Sequence, residues 1–196
     1  RALDAHGLVV LAHEQRDHMS RQTMQLLHGA TRLFAHVQPR RREVFVTLNT
    51  LMAEAEIPQF ADAICTAAEC GADALIVQDL GVARLARTVA PDLPLHASTQ
   101  MALHNLEGAR TAQRWGFSQI TLARELTFDE IRVIAAAGVP VEVFIHGALC
   151  YSYSGLCLMS AVRNGRSGNR GRCAYPCRDR YALAGSGENG LAFSMK

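Results

Sequence analysis

From residue 43 onward the sequence alternates short β-type runs with amphipathic helical stretches, and that rhythm leaves few folds open. The first run, residues 43–49, ends in a polar asparagine. Residues 57–70 carry apolar side chains at helical spacing, and Gly71 stands where a helix would stop. A second run covers 74–79, followed by a helical stretch over 80–90 and a turn punctuated by Pro91 and Pro94. The third run is 95–99, with a helix expected over 102–115 and closed by Gly116. The fourth is 119–125. Thr127 and Glu130 then form a capping box, in which hydroxyl and carboxylate satisfy free backbone N–H groups, opening a helix to about Ala137 before Gly138. The fifth run is 141–146.

Five strands at this rhythm predict a parallel sheet joined by crossover helices. Their continuous apolar cores fit a sheet covered on both faces. Each run ends in polar or ionisable groups: Asn49, Gln78 with Asp79, Ser98 to Gln100, Arg124 with Glu125, and His146. Active groups gather at the C-terminal ends of barrel strands, so the expectation is an α/β fold, a partial TIM-type (β/α) barrel. An open doubly wound sheet is the rival, but no Gly-rich phosphate loop follows any strand. Residues 43–147 hold the barrel repeats, and residues 148–196 hold a Cys-rich insertion after a late strand and the start of the next strand. Residues 1–42 fit poorly. A short strand over 9–12 and a helix over 20–35 are expected there, ahead of Pro39-Arg40-Arg41-Arg42.

Four of the six cysteines fall in one loop-like stretch, Cys150, Cys157, Cys173 and Cys177, with the spacing C-x6-C-x15-C-x3-C. With no secretory context, such a cluster reads as metal-binding or redox before it reads as disulfides. Thiolates are the usual ligands of iron–sulfur clusters, and a four-iron cluster takes four of them. Zinc also accepts four thiolates, though structural zinc sites favour short paired spacing, which only Cys173 and Cys177 show. From spacing alone, cluster and zinc stand level. Arg163, Arg166, Arg170, Arg172, Arg178 and Arg180 surround the cysteines and would offset thiolate charge. Cys65 and Cys70, on a helical pattern, read as small hydrophobes. Trp115 reads as core packing and His104 as a surface residue on a helix. Tyr151, Tyr153 and Tyr175 read as cover for a core edge, with base stacking as the alternative.

Composition excludes some classes. Hydrophobic residues make up 49% and charged residues 19%, the balance of a globular protein. A net charge of +2 is too small to argue for nucleic acid by itself. No apolar run is long enough to span a bilayer, and residues 1–30 show no signal peptide, so a cytoplasmic location without a membrane is expected. The chain opens on Arg1 and closes on Ser194-Met195-Lys196 straight after an apolar stretch, and reads as a fragment.

The pattern Glu142-x-Phe144-x-x-Gly147-Ala148-Leu149-Cys150, then Gly155-x-Cys157-x-Met159-Ser160, resembles the signature of the collagenase-like peptidase family, peptidase family U32. The runs ending at Asn49, Asp79, Gln100 and Leu126 resemble that family's successive strand ends. Gly165-Arg166-Ser167 and Asn169-Arg170-Gly171 lead on to Cys173 and Cys177, so the resemblance covers about residues 43–196. Among subgroups it is closest to the hydroxylases of 23S ribosomal RNA cytidine, beside relatives that hydroxylate tRNA uridine. The family opens with two strands and a glycine-rich loop that residues 1–42 do not display.

The resemblance implies a barrel, an iron–sulfur cluster (4Fe-4S) on Cys150, Cys157, Cys173 and Cys177, and C5-hydroxylation of a pyrimidine with prephenate as co-substrate. RNA, ribosomal or transfer, is the implied partner. His96, Arg124, Glu125 and His146 are the catalytic candidates. Asn49, Gln78, Asp79, Gln100, Arg166 and Arg170 are the substrate-binding candidates. Two other functions stay open. One is the peptidase of the traditional family label, for which His96, His146, Glu125 and Glu142 supply acid–base groups, though no H-E-x-x-H helix or G-x-S-x-G elbow is present. The other is a non-catalytic cluster-bearing subunit of a protein complex or oligomer.

Overall fold

The computed structural model describes residues 7–10, 43–146 and 150–181. Six strands form one sheet: β1 (Gly7–Val10), β2 (Glu43–Leu48), β3 (Ala74–Val77), β4 (Leu95–Ala97), β5 (Phe117–Thr121) and β6 (Val141–Glu142). They pair in chain order and every pairing is parallel. That singly wound order is the order of a (β/α) barrel, and a doubly wound sheet would reverse it part-way. The helices α1 (Ile57–Glu69), α2 (Leu80–Val89), α3 (Leu106–Arg114) and α4 (Phe128–Ala136) connect β2 to β6. A short α5 (Met159–Asn164) lies in the Cys-rich segment.

The helix starts are written in the sequence. The Asp79 carboxylate accepts the Gly81 and Val82 N–H groups at 2.6 and 3.3 Å, and Asn105 accepts Gly108 N–H at 2.7 Å. Thr127 and Glu130 make the expected reciprocal box. Gly116 takes φ +91°, a left-handed value an L side chain resists, and its carbonyl accepts from the Arg87 guanidinium.

Alternate strand residues meet the helices. Val44, Val46, Leu48, Leu75, Val77, Ala97, Ile120 and Leu122 join Phe60, Ile64, Val82, Ala86 and Ile134 in one core. The helix side of that core is rich in alanine, including Ala63, Ala67, Ala109 and Ala112, so the helices lie close on the sheet. Each fully buried Leu or Ile contributes about 1.5–3 kcal/mol.

Several boundaries differ from expectation. A strand does precede β2, at Gly7–Val10 instead of 9–12, with Gly7 opposite Glu43. The helix expected over 20–35 lies outside the described residues. Helix α3 starts at Leu106 because Ala102 turns left-handed (φ 53°) and Asn105 caps the first turn, which leaves His104 in an exposed loop. Strand β5 begins at Phe117, directly after Gly116, and stops at Thr121. Beyond it the Ala123 N–H bonds Leu103 O, so β6 has no ladder past Glu142 and residues 143–146 are exposed. Trp115 is 55% exposed: it stands at the C-terminal cap of α3 and lines an open cleft with Leu80, Arg84, Arg87 and Phe117. Tyr151, Tyr153 and Tyr175 are likewise exposed; Tyr153 meets His104 edge-on at 6.3 Å. Cys65 and Cys70 are partly buried, and Cys70 packs against the core.

Candidate active site

The second face of the sheet carries a different set of side chains. Register aligns Thr47 with Ile76, His96 and Gln119 across β2 to β5. Two residues further towards the C-terminal ends, and so on the same face, stand Asn49, Gln78, Ser98 and Thr121, with Thr121 paired to Glu142. Thr47, Gln78, His96, Ser98 and Thr121 are buried. This polar inner face lies where a barrel keeps its chemistry.

His96 is 7% exposed, its ring 4.8 Å from the Phe45 ring, and its Nδ1 has no hydrogen-bond partner among the described residues. Burial removes water from its cation and holds its pKa below the ordinary value, so the imidazole stays neutral. Gln78 is also 7% exposed. Its Nε2 donates to Asn169 O at 3.4 Å, and its Oε1 is buried without a partner among the described residues. Burial pushes the Glu142 carboxyl upward, and its Oε2 accepts from Gln119 Nε2 at 3.1 Å.

The remaining strand-end residues hold the Cys-rich segment across this end of the sheet. At one side, Arg124 donates to Cys150 O at 3.2 Å and Ser152 O at 3.0 Å. Glu125 accepts both the N–H and the hydroxyl of Ser154 at 2.6 Å. Ser154 is fully buried and left-handed (φ 44°), a conformation this pair of bonds secures. Desolvation raises the Glu125 pKa, but the two bonds from Ser154 and the Arg124 charge outweigh it and leave the carboxyl below its ordinary value. Gly155 sits tightly against Gln100: an added Cβ would stand 3.2 Å from Gln100 Cγ.

At the other side, Asn169 O also accepts Leu51 N–H at 3.0 Å. Arg170 donates to Leu51 O at 3.0 Å and pairs with Glu56. The Asn169 side chain bonds both backbone groups of Cys157, each at 3.3 Å. Residues 150–170 therefore form a strap fastened at β5 and again beside β2 and β3.

The structure sorts the expected site residues. Gln78 and His96 lie buried on the inner face, with Asn49 half-buried at its rim. Arg124, Glu125 and Arg170 fasten the strap, so their side chains are committed to protein partners, and the Gln100 side chain packs close to Gly155. Asp79 caps α2 and its second oxygen accepts Met52 N–H at 2.9 Å, a structural use of both oxygens. Arg166 is half-buried beside α5. His146, expected at the end of its strand, is exposed in a bend beyond β6. Thr47, Gln119 and Thr121 were not anticipated. Their signal is a polar residue at alternate positions in apolar strands, as in Val46-Thr47-Leu48 and Ile120-Thr121-Leu122.

A four-thiolate group needs its sulfurs around one centre. Among the described residues no three His, Cys, Asp or Glu side chains stand in a grouping that could hold a metal ion, and Cys150, Cys157, Cys173 and Cys177 are free thiols. The arrangement is thus not that of an assembled metal site, contrary to the expected convergence. Three of the four sulfurs have local polar contacts. Cys157 Sγ accepts Met159 N–H at 3.4 Å, and Cys173 Sγ accepts Tyr175 N–H at 3.3 Å. Cys150 Sγ lies 3.0 Å from Ser152 Oγ. Desolvation raises the Cys150 pKa, but the Ser152 contacts and the Arg124 charge outweigh it and bring the thiol below its ordinary value.

The match to known families decides the lineage: residues 12–195 fit the model of peptidase family U32. The chain belongs to peptidase family U32. The match starts well ahead of residue 43, where the motif resemblance begins. Over 142 residues the chain is 46% identical to the 23S rRNA 5-hydroxycytidine C2501 synthase of Escherichia coli (strain K12), covering 72% of this chain and 21% of that protein. It is 37% identical over 142 residues to tRNA hydroxylation protein P of Helicobacter pylori (strain ATCC 700392 / 26695), covering 71% of this chain and 34% of that protein. The collagenase of Porphyromonas gingivalis (strain ATCC BAA-308 / W83) is 32% identical over 151 residues, or 71% of this chain and 36% of that protein. The chain thus spans about a fifth to a third of these relatives. The solved U32 peptidase Mk0906 shares the fold, with a TM-score of 0.51 at 19% identity over 71% of this chain and 60% of that one.

Proposed function

We propose that this chain belongs to an RNA-modifying enzyme that hydroxylates a pyrimidine at C5, in ribosomal cytidine or tRNA uridine. The observation that carries this reading is the buried polar inner face of the sheet, spanned at its C-terminal end by an arginine-bearing strap. A flat base fits such a face, where neutral amide, hydroxyl and imidazole groups can bond its edge. The relatives that act on rRNA and tRNA support the choice of substrate. Gln78, His96, Ser98 and Thr121 bind and orient the base. Arg124 and Glu125 keep the strap in place and water out. Arg166 is the phosphate contact, since Arg170 is already paired with Glu56.

The proposal includes an iron–sulfur cluster on Cys150, Cys157, Cys173 and Cys177, with prephenate as co-substrate. The strap's amide-to-sulfur contacts suit thiolates, and cluster assembly requires the sulfurs to draw together from the arrangement described above. Such a group supplies redox chemistry or holds a substrate oxygen. Iron and acid-labile sulfide in the anaerobically purified full-length protein, with broad visible absorption, test this part. Zinc alone would refute it.

Deleting the gene should remove one hydroxylated pyrimidine from the RNA nucleoside profile by mass spectrometry, and an unchanged profile would refute the enzyme reading. Peptide hydrolysis surviving Cys→Ala changes at all four positions would favour the peptidase reading instead.

A further inference from the structure

Among the described residues, two buried polar atoms on the inner face have no hydrogen-bond partner, one on β4 and one just past the end of β3. Gln78 Oε1 and His96 Nδ1 are both in side chains only 7% exposed. Ile76 stands opposite His96 in register, which puts Gln78 one diagonal step from the imidazole on the same face, roughly 7–8 Å between Cα atoms. A buried acceptor without a donor is costly, and native proteins keep few of them away from functional sites.

The Gln78 carboxamide cannot relieve this by turning over. Its Nε2 donates to Asn169 O, a carbonyl that also accepts Leu51 N–H. Reversed, the amide would set Oε1 against that carbonyl oxygen, two acceptors face to face. Gln78 therefore presents a fixed acceptor at the inner face.

We propose that Gln78 selects cytosine over uracil by accepting a hydrogen bond from the exocyclic 4-amino group, with His96 as the second contact to the base. This rests on the RNA-hydroxylase reading above. A nucleotide enters a closed site with its sugar trailing, and C4 lies opposite the sugar-bearing N1 across the ring. The substituent on C4 is thus the deepest part of the base and sits beside C5. In cytosine that substituent is an amino group, a donor that matches Oε1. In uracil it is a carbonyl, which would meet Oε1 as acceptor against acceptor. A site built around one polar group rejects the analogue that leaves it unpaired.

The test uses the full-length protein and a short oligoadenylate carrying one central cytidine, uridine, or pyrimidin-2-one nucleoside, the last lacking any 4-substituent. Fluorescence anisotropy should show the cytidine RNA binding about tenfold or more tighter than the uridine RNA, with the pyrimidin-2-one between them. Gln78→Leu should bring that ratio to about one, and Gln78→Glu, which keeps an acceptor, should retain a preference for cytidine. Equal binding of cytidine and uridine RNA by the unaltered protein would overturn the proposal and leave the hydroxylase reading standing. So would a preference that persists in Gln78→Leu. No binding of any of the three RNAs, together with a normal nucleoside profile in the deletion strain, would overturn both. The pyrimidin-2-one comparison needs no variant, so a misfolded Gln78→Leu protein does not spare the idea.

Discussion

The two faces of this one sheet obey different rules. On the helix side, Val46, Leu75, Val77 and Ile120 are packed by apolar neighbours and need nothing else. On the inner side, Thr47, Gln78, His96 and Thr121 are as deeply buried but polar, and Gln78 and His96 keep atoms unsatisfied. Alternation along a strand puts both sets within one residue of each other. Stability and chemistry are therefore separated by direction and not by distance. Burial alone does not reveal which residues hold the fold together.

The largest expected effect lies on the helix side. Leu75→Ala should cost about 2–5 kcal/mol in urea denaturation, through lost burial and the cavity left behind. A far smaller loss would mean that the faces are not distinct. Next comes the strap. Glu125→Ala strips two hydrogen bonds from buried Ser154, a local loss of about 1–3 kcal/mol. Hydrogen exchange should rise around residues 150–157 while β2 to β4 stay protected; uniform loss of protection would show strap and sheet to be one unit. Thr127→Ala removes the cap of α4 and should cost about 1 kcal/mol, read from the same urea curves.

The smallest effects are in pH. The His96 pKa is lowered on folding, so the unfolded chain binds its proton more readily. The contribution of His96 to stability is complete above the ordinary histidine pKa, about 6.5, and fades as pH falls below it. The melting temperature should drop over that range, and less so in His96→Asn. Glu125, also lowered, keeps the strap fastened above the ordinary carboxylate range. Acid well below pH 4 should release it in a separate step.

Much of the fold was legible because its signals are local. Gly71, Gly116 and Gly138 end helices with positive φ, and the Thr127–Glu130 box stands as read. What escaped depends on partners far along the chain. Nothing near residue 143 says that β5 will turn aside to Leu103 and leave β6 two residues long. Arg124 and Glu125 look like any ionisable strand end until residues 150–154, on a distant loop, come to meet them. Asn169 carries no motif, yet its side chain and carbonyl touch Cys157, Leu51 and Gln78. His146 fits the strand-end rule by position, but its strand stops short. Spacing marked the four cysteines as a set without saying where their sulfurs would rest.

Asn169 gives the molecule an order of events. Its carbonyl is what locks the carboxamide beneath it, and its amide is what grips the cysteine backbone above. Lift that residue and the glutamine can spin, offering oxygen or nitrogen indifferently. On the proposed reading, discernment at the floor of the site therefore depends on the contact made at its rim.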